Sequence, residues 1–209
     1  MDTRDHWDAV YQAKGPEQHS WFHAEARLSR RLIERVAPSR DTRIIDIGAG
    51  ASQLVDSLLD VGYHAITVLD IAPAALEIAQ RRLGSIASTV SWRVGDVCSP
   101  GLPPRSFDVW HDRAVFHFLT DPADRAAYVR ELQGALCPGG HVILATFADS
   151  GPLKCSGLPV ARYSAEELHA ELGPSFHLVE SHREIHHTPA RAQQYFTYVA
   201  CEYVGGRGT

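Results

Sequence analysis

The sequence predicts an α/β domain with a mainly parallel sheet covered by helices on both faces. Three observations carry this. Apolar runs of strand length alternate with segments of helical spacing from residue 43 to residue 148. The first run, "RIIDIG", opens into a turn holding Gly48 and Gly50 and then a helical stretch. The last two apolar runs, "FHLVESHREI" and "QYFTYVACEYV", have no helix between them, so they can pair antiparallel.

Each element follows in order. Residues 1–22 hold Trp7, Tyr11, Trp21 and Phe22 around a break at "KGPEQ", and form a segment distinct from the domain at 23–209. From His23, the residues Leu28, Leu32, Ile33 and Val36 recur at helical spacing up to "APSRDT". "RIIDIG" is a buried strand; Ser52 to Leu59 is helical and Gly62 ends it. "AITVLD" is the second strand. The next helix has Pro73 early and Gly84 at its end, as helix punctuation prefers. "TVSWRVGD" and "FDVWHD" are the third and fourth strands. Asp121 and Pro122 open the next helix as cap and first turn, "PGG" at 138–140 ends it, and "HVILATFA" is the fifth strand. A Gly/Pro-bearing loop spans 149–163, and Ser164 with Glu167 forms a capping box before "ELHAELG".

Composition narrows the function classes. A chain of 209 residues that is 44% hydrophobic suits one domain with a sizeable core. A net charge of -5 and the lack of any Lys/Arg-rich run give no nucleic-acid footprint. No apolar segment approaches a membrane span, and the polar start "MDTRDHWDAVYQ" does not read as a signal peptide. Four scattered cysteines without a CxxC pair read as reduced thiols, which points to the cytoplasm.

In such a sheet, ligands bind at the carboxyl ends of the strands. That rule collects the 48–52 turn, Asp70, Asp96, the end of "FDVWHD" and the loop after Phe147 on one rim. A nicotinamide dinucleotide would want a third glycine where Gln53 stands. The ordered set "IIDIGAGAS", "VLDIAP", "VGDVCS" and "LCPGG" resembles the class I S-adenosylmethionine-dependent methyltransferases, across roughly residues 40–148.

The resemblance implies a Rossmann-like, doubly wound, seven-stranded sheet, mainly parallel with an antiparallel last strand. It implies S-adenosylmethionine as cofactor. The turn Gly48, Ala49 and Gly50 would face the methionine carboxylate with backbone N–H groups, and Asp46 the ammonium. Asp70, with Ile71 beside it, would take the ribose diol. Asp96 and the Val97 N–H would take adenine. "HWDAVYQ" and "SWFH" are similar to the N-terminal lid of thiopurine, tellurite-resistance and eukaryotic lysine methyltransferases. Trp21 then either covers the cofactor or staples the first helix to the sheet.

The methyl acceptor is expected at the end of strand four. His111 is a candidate base, substrate partner or cofactor wall. Asp112 is a candidate catalytic group, or pairs with Arg113 to fix the loop. His117 reads as a core histidine. Cys155, in the loop after strand five, can orient a soft acceptor or simply pack; Arg162 can hold a carboxylate. His182, Glu184 and His186 alternate on one strand face, but no metal site is assigned there. The acceptor expected is a small molecule, with a thiol as one class. The alternatives are a protein lysine or a non-catalytic cofactor-binding module.

Overall fold

A four-residue strand with every residue buried belongs in the middle of a sheet covered on both sides. Ile44, Asp46 and their neighbours meet that condition, forming β1 (Ile44–Ile47). The computed structural model describes residues 3–13, 15 and 26–205. Its elements run α1 (Thr3–Ala13), α2 (Arg27–Val36), β1, α3 (Leu54–Asp60), β2 (Ile66–Asp70), α4 (Pro73–Leu83), β3 (Ser91–Val94), β4 (Phe107–Arg113) and α5 (Pro122–Ala135). They continue with β5 (Leu136–Phe147), β6 (Lys154–Cys155), β7 (Leu158–Pro159), α6 (Ala165–Leu172), β8 (Phe176–His187) and β9 (Gln193–Tyr203). Trp21 and the expected boundary at residues 22 and 23 lie outside the described residues.

The sheet has the order β3-β2-β1-β4-β5-β9-β8. Strands β1 to β5 run parallel, and β9 lies antiparallel to both β5 and β8. The order reverses between β1 and β4, so a crevice opens at their carboxyl ends.

Strand pleating splits the core in two. Ile44, Val68, Val109 and Ile143 pack with Leu32 and Ile33 of α2 and Leu54 and Leu58 of α3. Ile45, Ile47, Trp110 and Leu144 pack on the other face with Tyr128 and Leu132 of α5 and Leu168 and Leu172 of α6. This period-two alternation decides which way each residue near the crevice faces.

Two departures from the expected elements matter. The fifth strand begins at Leu136 and runs through the "PGG" that was expected to precede it. The loop after β5 contains a small hairpin, with Cys155 paired to Leu158 across β6 and β7. Strands of two residues are too short to show periodicity.

The caps form as expected. The Asp121 carboxylate accepts from the Ala123 N–H, and Ser164 and Glu167 satisfy each other's backbone N–H groups. Ser164→Ala should lower stability by about 1 kcal/mol. Urea unfolding should show an earlier midpoint with an unchanged slope, because buried Leu168 and Leu172 keep α6 docked.

Candidate active site

The glycine turn after β1 is built by backbone geometry. Gly48 and Gly50 have φ of +58° and +54°, a region that side chains disfavour. A Cβ on Gly48 would overlap the Val115 side chain, and one on Gly50 would overlap the Tyr11 hydroxyl. The turn is held to its neighbour strand twice. The Gly48 N–H donates to the Leu69 carbonyl at 2.7 Å. The Asp70 carboxylate accepts from the Gly50 N–H and the Ala72 N–H, each at 2.8 Å. Burial pushes the Asp70 carboxyl up to about 6, against the opposing pull of those N–H groups.

β4 sends its polar residues to opposite faces. Asp46 and His111 are register partners across β1 and β4. His111 Nδ1 lies 2.7 Å from Asp46 Oδ1, and its Nε2 lies 2.9 Å from the Ser29 hydroxyl of α2. Both residues are buried. On the other face, Asp112 accepts from the Val115 N–H at 2.9 Å, the Phe116 N–H at 3.1 Å and the Tyr128 hydroxyl at 2.8 Å. Burial pushes its carboxyl up to about 7. These bonds close the turn in which Ala114 takes φ of +74° and Val115 swings over Gly48.

The expected pairing of Asp112 with Arg113 does not form, because the pleat turns the two apart. Arg113 Nε donates to the Tyr198 hydroxyl at 2.9 Å, and its Nη2 lies 3.5 Å from Glu184. Its guanidinium sits 4.2 Å over the Phe196 ring.

A cavity of about 240 Å³ occupies the crevice. Gly48, Asp70 and Ile71 line one side, with Asp96, Val97 and Cys98 from the loop after β3. Arg113, Ala114, Val115 and Phe118 line another, and Cys155 reaches it from the hairpin. α1 adds Trp7 and Tyr11 to the wall. That helix is fastened by Asp8, which accepts from the Ala74 N–H at 3.1 Å and so caps α4 from outside. Trp7 also meets Phe118 edge to face at 5.0 Å.

The structure therefore brings Gly48, Asp70, Ile71, Asp96, Val97 and Cys155 to one cavity. Ala49 and Gly50 shape the turn beside it. Asp46, His111 and Asp112 do not line the wall; His111 and Asp112 are bonded within the fold, while Asp46 engages His111 through Oδ1 and keeps a buried Oδ2 with no hydrogen-bond partner among the described residues. Asp96 carries the Asx bond that a plain cap would show, accepting from the Cys98 N–H at 2.8 Å.

Other sequence candidates lie elsewhere. His117 is a core residue: fully buried and pushed down to about 3 by burial, it accepts the Phe147 N–H at 3.3 Å. Arg162 donates to the Gly151 carbonyl at 3.0 Å. His182 is 2.6 Å from Glu180, while Glu184 accepts from the Tyr198 hydroxyl. Among the described residues, no group of three potential metal ligands gathers.

Wall residues not assigned as site residues from the sequence include Thr3, Cys98, Arg113 and Asp124. Their signal was position alone, at strand ends and first helical turns on the predicted rim.

Comparison with known proteins agrees with this geometry. Residues 45–144 match the methyltransferase domain family. Over that stretch, just under half of the chain, the sequence is similar to the methyltransferase domain, and the fold is the Rossmann-like one of class I S-adenosylmethionine-dependent methyltransferases. Human EEF1A lysine methyltransferase 2 is 26% identical over 199 residues, spanning 86% of this chain and 76% of that protein. The zebrafish eEF1A lysine and N-terminal methyltransferase is 26% identical over 157 residues, 74% of this chain. This chain spans only 22% of that longer protein's length. A solved structure concerned with converting a disulfide bond into a thioacetal group during echinomycin biosynthesis has a TM-score of 0.78. It is 19% identical, and the alignment covers 96% of this chain and 93% of that one.

The close approach of the Tyr11 hydroxyl to Gly50 makes a prediction. Gly50→Ala strains the backbone by about 1–2 kcal/mol and pushes against the Tyr11 hydroxyl. Hydrogen exchange of residues 3–13 should speed up in this variant. Tyr11→Phe added to it should restore part of the protection, since the obstructing atom is the hydroxyl oxygen.

Proposed function

We propose that this chain transfers a methyl group from S-adenosylmethionine to a small-molecule acceptor, with thiols as the leading class. The observation that carries the reading is enclosure. The crevice is walled by α1 on one side and by the hairpin bearing Cys155 on the other, which suits a small acceptor better than a protein side chain.

The wall has the donor and acceptor set that the cofactor needs. The Gly48–Gly50 turn permits close backbone approach; its Gly48 and Gly50 N–H groups are given to Leu69 and Asp70, which leaves the Ala49 N–H for the methionine carboxylate. Asp70 keeps lone pairs for the ribose diol beside its two backbone bonds. Asp96 and the Val97 N–H suit adenine, flanked by Ile71. Trp7 and Tyr11 cover this seat from α1, one of the two parts that the sequence left open for Trp21. When bound, the cofactor supplies an electrophilic methyl on a sulfonium whose leaving group departs neutral.

The protein then has to align the acceptor, exclude water and receive a proton where the nucleophile carries one. His111 has both ring nitrogens engaged, so its part in this reading is to hold the ends of β1 and β4 together with Asp46. Asp112 fixes the turn that aims Arg113 and Val115. Cys155 is the candidate contact for a soft acceptor.

A second reading is supported by the similarity to EEF1A lysine methyltransferase 2 over most of this chain: methyl transfer to a protein lysine. Incubation with methyl-labelled cofactor and a cell extract, split into protein and small-molecule fractions, separates them. Label in the small-molecule fraction supports the first reading; label confined to protein supports the second.

The Asp70 assignment has a pH signature. A carboxyl with a folded pKa near 6 binds its proton more tightly folded than unfolded. Its ionisation therefore costs the fold stability as pH rises from about 4 to about 6. Across the same window, cofactor affinity should rise as the ribose acceptor forms. Calorimetry and thermal unfolding should show these opposite trends, and Asp70→Asn should flatten both. Affinity that is level from pH 5 to pH 7.5 in the native chain would remove Asp70 from the ribose seat.

A further inference from the structure

The turn at the end of β4 hangs on one buried carboxyl group. Asp112 is fully buried, and three donors converge on it. The Val115 N–H bonds Oδ1, while the Phe116 N–H and the Tyr128 hydroxyl bond Oδ2. The Tyr128 oxygen already accepts from Trp110 Nε1 at 2.8 Å, so its own proton is committed to Asp112. A carboxylate satisfies all three donors, because it only accepts. A protonated carboxyl does not. A proton on Oδ1 faces the Val115 N–H; a proton on Oδ2 faces the Phe116 N–H and the Tyr128 hydroxyl.

The surroundings supply neutral donors to this anion. β1 and β5 present Ile47 and Leu144 beside it, and α6 presents Leu168. His111 acts on it from the opposite face of β4, where Asp46 and Ser29 bond the ring. Arg113 turns away to Tyr198 and Glu184. Cys98 lies near Tyr128, and Tyr163 packs on Phe116 at 5.9 Å. Burial keeps these neighbours in one protonation state around neutral pH. It holds His117 down to about 3, Cys98 and Tyr163 up to about 12, and Tyr128 well above its ordinary value. The same burial pushes Asp112 only as far as about 7.

The turn that Asp112 holds is a wall of the cavity. Ala114, Val115 and Phe118 line it, Val115 lies over Gly48, and Phe118 meets Trp7 of α1 edge to face at 5.0 Å. The far end of the turn is fastened by Arg125 of α5. Its Nη1 donates to the Leu119 and Thr120 carbonyls at 3.1 and 3.0 Å, and its Nε donates to Glu171. An arginine holds that end at any pH near neutrality. The near end depends on Asp112.

We propose that Asp112 is a pH-responsive latch on the cavity wall. As the carboxylate it pins Val115 over the glycine turn and Phe118 against Trp7. Once protonated it releases the amino end of the turn, and the cavity opens between α1 and β4. The latch belongs to the ligand-free chain, so it stands apart from the methyltransferase reading.

The latch and the whole fold respond to pH with opposite sign. A carboxyl whose folded pKa lies above its unfolded value costs global stability as pH rises from about 4 to about 7. Local order in the turn should rise toward the top of that range. Amide hydrogen exchange by NMR separates the two, run from about pH 5 to about pH 9 and corrected for the intrinsic pH dependence of exchange.

Protection at Val115 and Phe116 should rise about tenfold or more with pH, with a midpoint near 7. Residues 3–13 should follow, because Trp7 rests on the turn. Leu168 in α6 should show no such rise. Asp112→Asn keeps the shape without the ionisation, and its profile should be level. Tyr128→Phe withdraws a donor from the anion and should move the midpoint to higher pH, which a loss of packing alone would not do. A level profile in the native chain overturns the latch, as does a rise that survives in Asp112→Asn. Residues 3–13 that stay level while Val115 and Phe116 respond also overturn it, since the latch would then hold nothing closed. Should Asp112→Asn not fold, Tyr128→Phe decides, and an unmoved midpoint there contradicts the proposal.

Discussion

The carboxylate of Asp70 ties the end of β2 to the glycine turn after β1, and the rest of the site depends on that tie. Gly50 can offer its N–H to Asp70 only in the left-handed conformation that glycine tolerates. That conformation leaves the space that the Tyr11 hydroxyl fills. Tyr11 helps seat α1, and α1 closes the cavity. One buried acid therefore links the sheet, the turn and the covering helix. Truncating it removes a structural anchor along with any ribose acceptor.

β4 provides the complementary half. Its pleat sends His111 to the α2 face, where Asp46 and Ser29 bond it, and sends Asp112 to the α5 face, where Tyr128 and two backbone N–H groups bond it. The strand end is clamped from both sides, and Arg113 is carried to the cavity wall by that clamp. Polar residues that looked catalytic by their place on the rim thus serve as supports, and the residue expected to fix the loop is the one facing the cavity.

Much of this was legible in the residues. The strands β1, β2, β4 and β5 announced themselves as apolar runs because the middle of a parallel sheet is buried on both faces, whereas the edge strand β3 is largely exposed. Asp121, Ser164 and Glu167 marked helix starts because their side chains bond local N–H groups, an interaction within a few residues. The cavity wall was readable from Gly48, Asp70 and Asp96 because strand ends in this topology converge.

The parts that were not legible depend on distant partners. Whether Asp112 faces cavity or core turns on the phase of β4 and on Tyr128 of α5. Arg113 finds Tyr198 and Glu184 on strands β9 and β8, far along the chain. The β6–β7 hairpin is too short for any pattern. Trp7 and Tyr11 were visible as aromatics, but only the docking of α1 on α4 shows which atoms they touch.

The central claim is that the glycine turn, the ends of β2 and β3 and helix α1 form one cofactor seat. A titration with S-adenosylhomocysteine followed by backbone amide NMR tests it most directly. Shifts concentrated at Gly48, Gly50, Ile71, Val97 and residues 3–13 are the predicted result. Saturable binding whose shifts fall elsewhere, on β8 or the loop at 84–89 for example, would contradict it.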